Sequence, residues 1–240
     1  MNSEIAIFFS SIVLTCFLTG FLGWYAWKQR KIAGAGAYAL MGISICLLAL
    51  VEIISMLSRT EGQALAWFNV RFIFNATIPV FWCAFAMAYT GQPARRTKTL
   101  TAIGLFISLI TQVLLWTNGF HHLWVTNEVA FHQNGLLWVV ETSQRVSGAW
   151  FWVHTIFGVS LELTGAGLIM LGSFRKKLFN QGQAVLLTAG ALVGILAASL
   201  PTLNLLPLFE FNLYIPGIGL GELLHLFAVL RFQFLKNNPT

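Results

Sequence analysis

Charged residues are scarce in this sequence: Asp, Glu, Lys and Arg together make up 9% of its 240 residues. Soluble domains carry about 25%, so the deficit argues against a soluble globular fold before any motif is read. Cysteine is scarce too. Cys16, Cys46 and Cys83 all lie in long apolar stretches, which speaks against a disulfide framework or a thiol metal site and leaves buried structural thiols. No nucleophile elbow, P-loop or HExxH occurs. The last apolar stretch holds no lysine, only Lys236 beyond its end, so a retinal Schiff base is excluded.

What the sequence has is apolar length. Hydrophobic residues make up 57% and the mean hydropathy is +0.76. A membrane span needs roughly 20 consecutive apolar residues. Seven stretches qualify, at about 5–27, 33–57, 64–90, 99–117, 149–173, 183–206 and 213–232. The first is long, lacks a basic leader and ends at Lys28–Lys31, so it reads as a true first helix and not as a cleaved signal peptide.

The net charge of +6 is distributed by side. KQRK (28–31), ARRTK (94–98) and FRKK (174–177) hold nine of the fourteen Lys and Arg residues, and Arg231 with Lys236 brings that side to eleven. Only Arg59 and Arg145 fall in the alternate connections, and Arg71 falls inside a span. The positive-inside rule then predicts an outside N-terminus and a cytoplasmic C-terminus. The basic excess is a topology signal and does not indicate nucleic-acid binding.

No long linker or internal repeat divides the chain, so residues 1–240 read as one domain, an all-α membrane protein with a seven-transmembrane helix bundle. Short loops favour antiparallel neighbours. Gly158 and Gly165 in the fifth span, and Gly190 and Gly194 in the sixth, offer close-packing faces. Pro79 and Pro201 are expected to kink their helices or free the carbonyls of Asn75 and Ala197. One connection is long: residues 118–148, between the fourth and fifth helices. Within it LWVTNEVAF (123–131) and LLWVVET (136–142) flank HQNG. Asn-Gly between apolar runs predicts a β-hairpin, here an extracellular one across the mouth of the bundle, as a lid or as a structural cap. Trp124 and Trp138 suit the membrane interface.

Ionisable groups inside spans are costly and point to function by default. Glu52 and Arg71 sit at matching depth and can pair, either as a structural salt bridge or as an ion pair for which an anionic ligand competes. Glu162 lies near the middle of the fifth span. Glu222 and His225 share one face of the seventh at i, i+3, and His154 lies two turns above Glu162. Carboxylates and imidazoles so spaced can bind a metal, relay protons, or satisfy one another. Trp67, Trp82, Trp150 and Trp152 are lining or packing candidates. His121 and His122, in TNGFHHLW (117–124), read as a turn that fixes the exit of the fourth helix, with His122 or Trp124 as anchor.

Several stretches together carry a likeness. They are WFNVRFIFNATIPVFWCAFAMAYTG (67–91), TNGFHHLW, GAWFWVH (148–154), the basic turn with Gln183 before a glycine-bearing sixth helix, and the run from Pro216 to LRFQFL (230–235). In order and spacing they resemble the N-terminal seven-transmembrane sensor region of bacterial membrane histidine kinases, also found ahead of diguanylate cyclases. Three departures stand out. Gly194 occupies a position where relatives often have proline, FNLYIP lacks an acidic residue often found there, and residues 1–240 hold no phosphoacceptor-histidine domain or ATP site.

The resemblance implies a receptor and not an enzyme. A small ligand would bind in an outward-facing cavity bordered by Glu52, Arg71, Asn75, Trp82, His122, Trp150 and His154. Glu162, Glu222 and His225 would form a midplane polar cluster. No cofactor or metal is implied. The expected partners are an unknown small molecule, membrane lipid, a kinase or cyclase module in cis or in trans, and a second copy. The alternatives are a small-solute or proton transporter, or a membrane metal-binding protein, using the midplane Glu and His residues.

Overall fold

The computed structural model describes residues 3–127, 129–134, 137–141, 146–175, 178–202 and 214–232. The apolar stretches become α1 (Ser3–Lys28), α2 (Ala35–Met56), α3 (Glu61–Asn75), α4 (Ile78–Tyr89), α5 (Ala94–Trp116), α7 (Ala149–Phe174), α8 (Gln181–Thr202) and α9 (Tyr214–Phe232). A single turn, α6 (Asn118–His121), and two strands, β1 (Ala130–Asn134) and β2 (Leu137–Glu141), lie between α5 and α7. Among the described residues seven segments are long and apolar enough to cross a membrane, with α3 and α4 together making one of them. The expected limits differ by a few residues. α5 begins at Ala94 because Pro93 starts the helix and carries ARRTK into its first turns. Pro201 falls in the last described turn of α8, and residues 203–206 of the expected sixth span lie outside the described part.

Pro79 does more than kink the third span. It has no N–H for the carbonyl of Asn75, so α3 stops there. The chain restarts as α4 at Ile78 with proline in the first turn, where a missing donor costs nothing. Across the interruption the Ser108 hydroxyl of α5 donates to the Ala76 carbonyl at 2.8 Å. The other end of α3 has a capping box: Thr60 Oγ1 accepts from the Gln63 N–H, and Gln63 Oε1 accepts from the Arg59 N–H.

The helices close into a ring in which α1 packs on α2 and α9, α9 on α8, α8 on α7, α7 on α4, and α4 on α2. α5 lies outside this ring against α3, α4 and α7, with Phe106, Leu109, Val113 and Trp116 exposed. Such an apolar outer face belongs against lipid. Lipid offers no hydrophobic drive between helices, so small residues set the approach. A Cβ on Gly190 would lie 2.7 Å from the Gly221 carbonyl and 2.5 Å from His225 Nε2. One on Gly165 would lie 2.5 Å from Trp82 Nε1. Gly194 differs from the expectation: a Cβ there meets nothing nearer than Ile218 at 4.0 Å, so this glycine borders open space and makes no close contact. Between α1 and α2 the thiols of Cys16 and Cys46 lie 3.6 Å apart, a neighbour relation that sequence spacing did not suggest.

The strands pair antiparallel, from Ala130 opposite Glu141 to Asn134 opposite Leu137. The first therefore starts later than the 123–131 expectation. Residues 124 and 125 are taken by other bonds: Asn118 Oδ1 accepts from the N–H groups of Trp124 (2.8 Å) and Val125 (3.2 Å), and Asn118 Nδ2 donates to the Val125 carbonyl (2.8 Å). Val125 also bridges Ser147. Residues 135 and 136 lie outside the described part, so the expected Asn-Gly turn falls partly outside it. Two strands alone are marginal. This pair rests on α2, and Leu137 is buried in the main core.

Candidate functional site: a polar cavity within the bundle

The gap beside Gly194 is part of a cavity of about 40 Å³, lined by Glu162 of α7, Trp82 of α4, Tyr214, Glu222 and His225 of α9, and apolar residues of α2 and α8. That is room for water, in the part of a fold where polar groups are most expensive.

Glu222 and His225 are adjacent because i, i+3 positions share a helix face. His225 Nδ1 lies 3.1 Å from Glu222 Oε1. The other carboxylate oxygen accepts from the Tyr38 hydroxyl at 3.2 Å. His225 Nε2 lies 3.0 Å from the carbonyl of Leu187, an approach that the Gly190–Gly221 crossing allows. A carbonyl can only accept, so Nε2 carries a hydrogen. The Nδ1···Oε1 contact then holds one proton, on either atom, and the pair is neutral in both arrangements.

Trp82 lies against the imidazole, with ring centroids 5.5 Å apart and planes 6° from parallel. Its Nε1 donates to the backbone carbonyl of Glu162 at 3.0 Å, and Gly165 leaves the space for that indole. The Tyr214 hydroxyl donates to Asn75 Oδ1. The half-buried Glu162 side chain makes no hydrogen bond or ion pair among the described residues.

A second polar group lies toward the end of the bundle that carries the strands. Arg71 Nη1 and Glu52 Oε2 pair at 2.8 Å, both side chains buried. The guanidinium sits 3.7 Å from the Phe68 ring centroid. Phe72 packs edge-on against Trp124, and Trp124 against His154. His154 Nδ1 and Trp150 Nε1 share the Thr111 hydroxyl, at 3.3 and 3.1 Å.

Over residues 11–239 the chain matches the family model of the N-terminal 7TM region of histidine kinase. It belongs to that family. No curated protein and no solved structure matches it. Family and spans together make the chain a multi-pass membrane protein and a transmembrane sensor domain of the histidine kinase type.

In this 7TM region the residues singled out from the sequence fall into two groups and do not form one ring. Glu162, Glu222 and His225 do share a cavity, and Trp82 belongs with them, while Asn75 reaches that cavity through Tyr214. Glu52, Arg71, Trp150 and His154 do not line it and are linked through Phe68, Phe72, Trp124 and Thr111, although the Arg71 charge reaches Tyr214 at the cavity wall. His122 joins neither group. It is exposed, with a left-handed φ of 53° at the end of α6; buried Trp124 is the anchor of this turn. His121 is spent locally, its Nε2 on the Thr117 hydroxyl and its Nδ1 accepting from the Leu123 N–H.

Tyr38, Thr111 and Tyr214 were not singled out from the sequence, because lone hydroxyls in apolar runs carry no periodic signal. Gln183 was noted only as a family marker. Its side-chain amide donates to the Tyr89 hydroxyl and ties α8 to α4. Among the described residues no three His, Cys or carboxylate side chains come together as a metal-holding group.

Proposed function

We propose that this chain is the signal-sensing part of a bacterial inner-membrane histidine kinase, with its N-terminus outside and its C-terminus in the cytoplasm. A small ligand held within the bundle favours one helix arrangement by its differential affinity. α9 passes the change to a kinase or cyclase module, in cis or in trans and within a homodimer, and the chain itself carries out no catalysis. The orientation is supported by the basic connections at 28–31, 94–98 and 174–177. In that orientation the strand pair covers the outer end, and Glu52, Arg71, Trp150 and His154 lie beneath it.

One observation carries the reading. Glu222 and His225, both on α9, bind to α2 through Tyr38, to α8 through Leu187 and to α4 through Trp82. A change in the cavity therefore changes what holds α9.

The test uses the full-length gene product that contains this region, in nanodiscs, with its output activity as the readout. Glu222→Gln and His225→Ala are expected to change that activity severalfold. Leu220→Ala, at an exposed position of α9, is expected to leave it unchanged. Equal output from all three and the parent would overturn the reading.

A further inference from the structure

We infer that the cavity between α4, α7, α8 and α9 is a binding site for a small monovalent cation, with the Glu162 carboxylate as its principal ligand. As a statement of what is sensed, this rests on the sensor reading above; as a binding site it stands by itself.

Charge and chemistry together select a small cation. Among the described residues three Glu and His side chains line the cavity: Glu162, Glu222 and His225. The last two neutralise each other, because the Leu187 carbonyl fixes a hydrogen on Nε2 and leaves a single proton between Nδ1 and Oε1. Both Glu222 oxygens are also occupied, one by His225 and one by Tyr38. Arg71 is committed to Glu52. Among the described residues, then, Glu162 has neither a countercharge in the lining nor a hydrogen-bond donor, and the one cation whose field reaches the cavity at Tyr214, Arg71, is already paired. An isolated carboxylate within a membrane span is strongly disfavoured. A cation that enters the cavity relieves this, and an anion worsens it. A cavity of about 40 Å³ has room for a bare or hydrated inorganic ion or ammonium, whereas choline holds its charge behind methyl groups and offers the carboxylate no N–H donor.

The test is made on the purified chain in nanodiscs, without an output module. Thermal unfolding is followed in sodium, potassium, ammonium and choline chloride at equal ionic strength. At least one of the first three is expected to raise the melting temperature over choline, saturably with concentration, as binding to the native state requires. Glu162→Gln should remove that difference, and Leu163→Ala, at an exposed neighbour, should keep it. A second readout needs no variant: modification of Glu162 by dicyclohexylcarbodiimide, read by mass spectrometry, should slow severalfold in the stabilising salt. Identical melting and identical labelling in all four salts overturn the inference, the cavity then holding a protonated acid and water. Persistence of the salt effect in Glu162→Gln overturns it as well. If the ion binds but output ignores the Glu222 and His225 variants, the site stands and the sensor reading falls.

Discussion

Trp82 lies flat against His225, 5.5 Å between ring centroids, so the broken third span and the seventh meet ring to ring inside the membrane. The imidazole also holds Glu222 and the Leu187 carbonyl. Replacing it leaves a buried carboxyl with Tyr38 as its remaining partner. His225→Phe should cost about 3 kcal/mol of stability, the usual scale for breaking a buried pair, measured by denaturant titration in mixed micelles. A loss below about 0.5 kcal/mol would show that the imidazole contacts are not structural.

Arg71 and Glu52 call for a different measurement. Either single alanine variant strands a buried charge, at about 3 kcal/mol. The double variant Glu52→Ala with Arg71→Ala removes both charges and should be more stable than the sum of the singles predicts. A double-mutant cycle should return a coupling of about 2 kcal/mol. Strict additivity would mean that the 2.8 Å contact contributes nothing.

Helix spacing predicts a contrast between two glycines of α8. Gly190→Ala drives a methyl into His225 and the Gly221 backbone, so a loss of about 1–3 kcal/mol is expected. Gly194→Ala places its methyl 4.0 Å from Ile218 and should be nearly neutral. Thermal melts of the two variants in one detergent decide it, and similar melting temperatures would refute the close crossing at Gly190.

The turn after α5 depends on Asn118, which supplies three hydrogen bonds to residues 124 and 125. Asn118→Ala should destabilise that end by about 2 kcal/mol and raise hydrogen exchange of the Trp124 and Val125 amides. His122→Ala should do neither. Mass-spectrometric exchange on the two variants separates them.

Orientation can be checked with single cysteines in a chain freed of its own three. A probe at Arg95 should be shielded from a membrane-impermeant maleimide added outside intact cells, and one at Val146 should react. The opposite pattern would invert the proposed topology.

Much of this fold was legible because hydropathy and length specify spans almost by themselves. The interruption near residue 76 was announced by Pro79, the Glu222–His225 pair by its spacing, and the Glu52–Arg71 pair by equal depth. What could not be read was lateral arrangement. A lipid-exposed helix and a buried one look alike in composition, so nothing in the sequence said that α5 lies outside the ring or that Trp82 faces His225. For the same reason the seven residues expected around one outward-facing cavity could not be sorted from the sequence, whereas packing divides them. The first strand was placed too early because LWVTN looks extended, whereas residues 123–127 form bends around a single bridge at Val125. Its hydrogen bonds go to an asparagine side chain and to the backbone of Val146, Gly148 and Trp150, which no local pattern reveals.

The Ser108 hydroxyl on the Ala76 carbonyl has a mechanical meaning. A continuous helix derives its stiffness from its own ladder of bonds. At this level the third span has a gap in that ladder, and a neighbour fills it. The segment that touches both polar groups is therefore two rods on a shared joint, and how freely that joint bends is decided by a side chain on α5, a helix outside the ring.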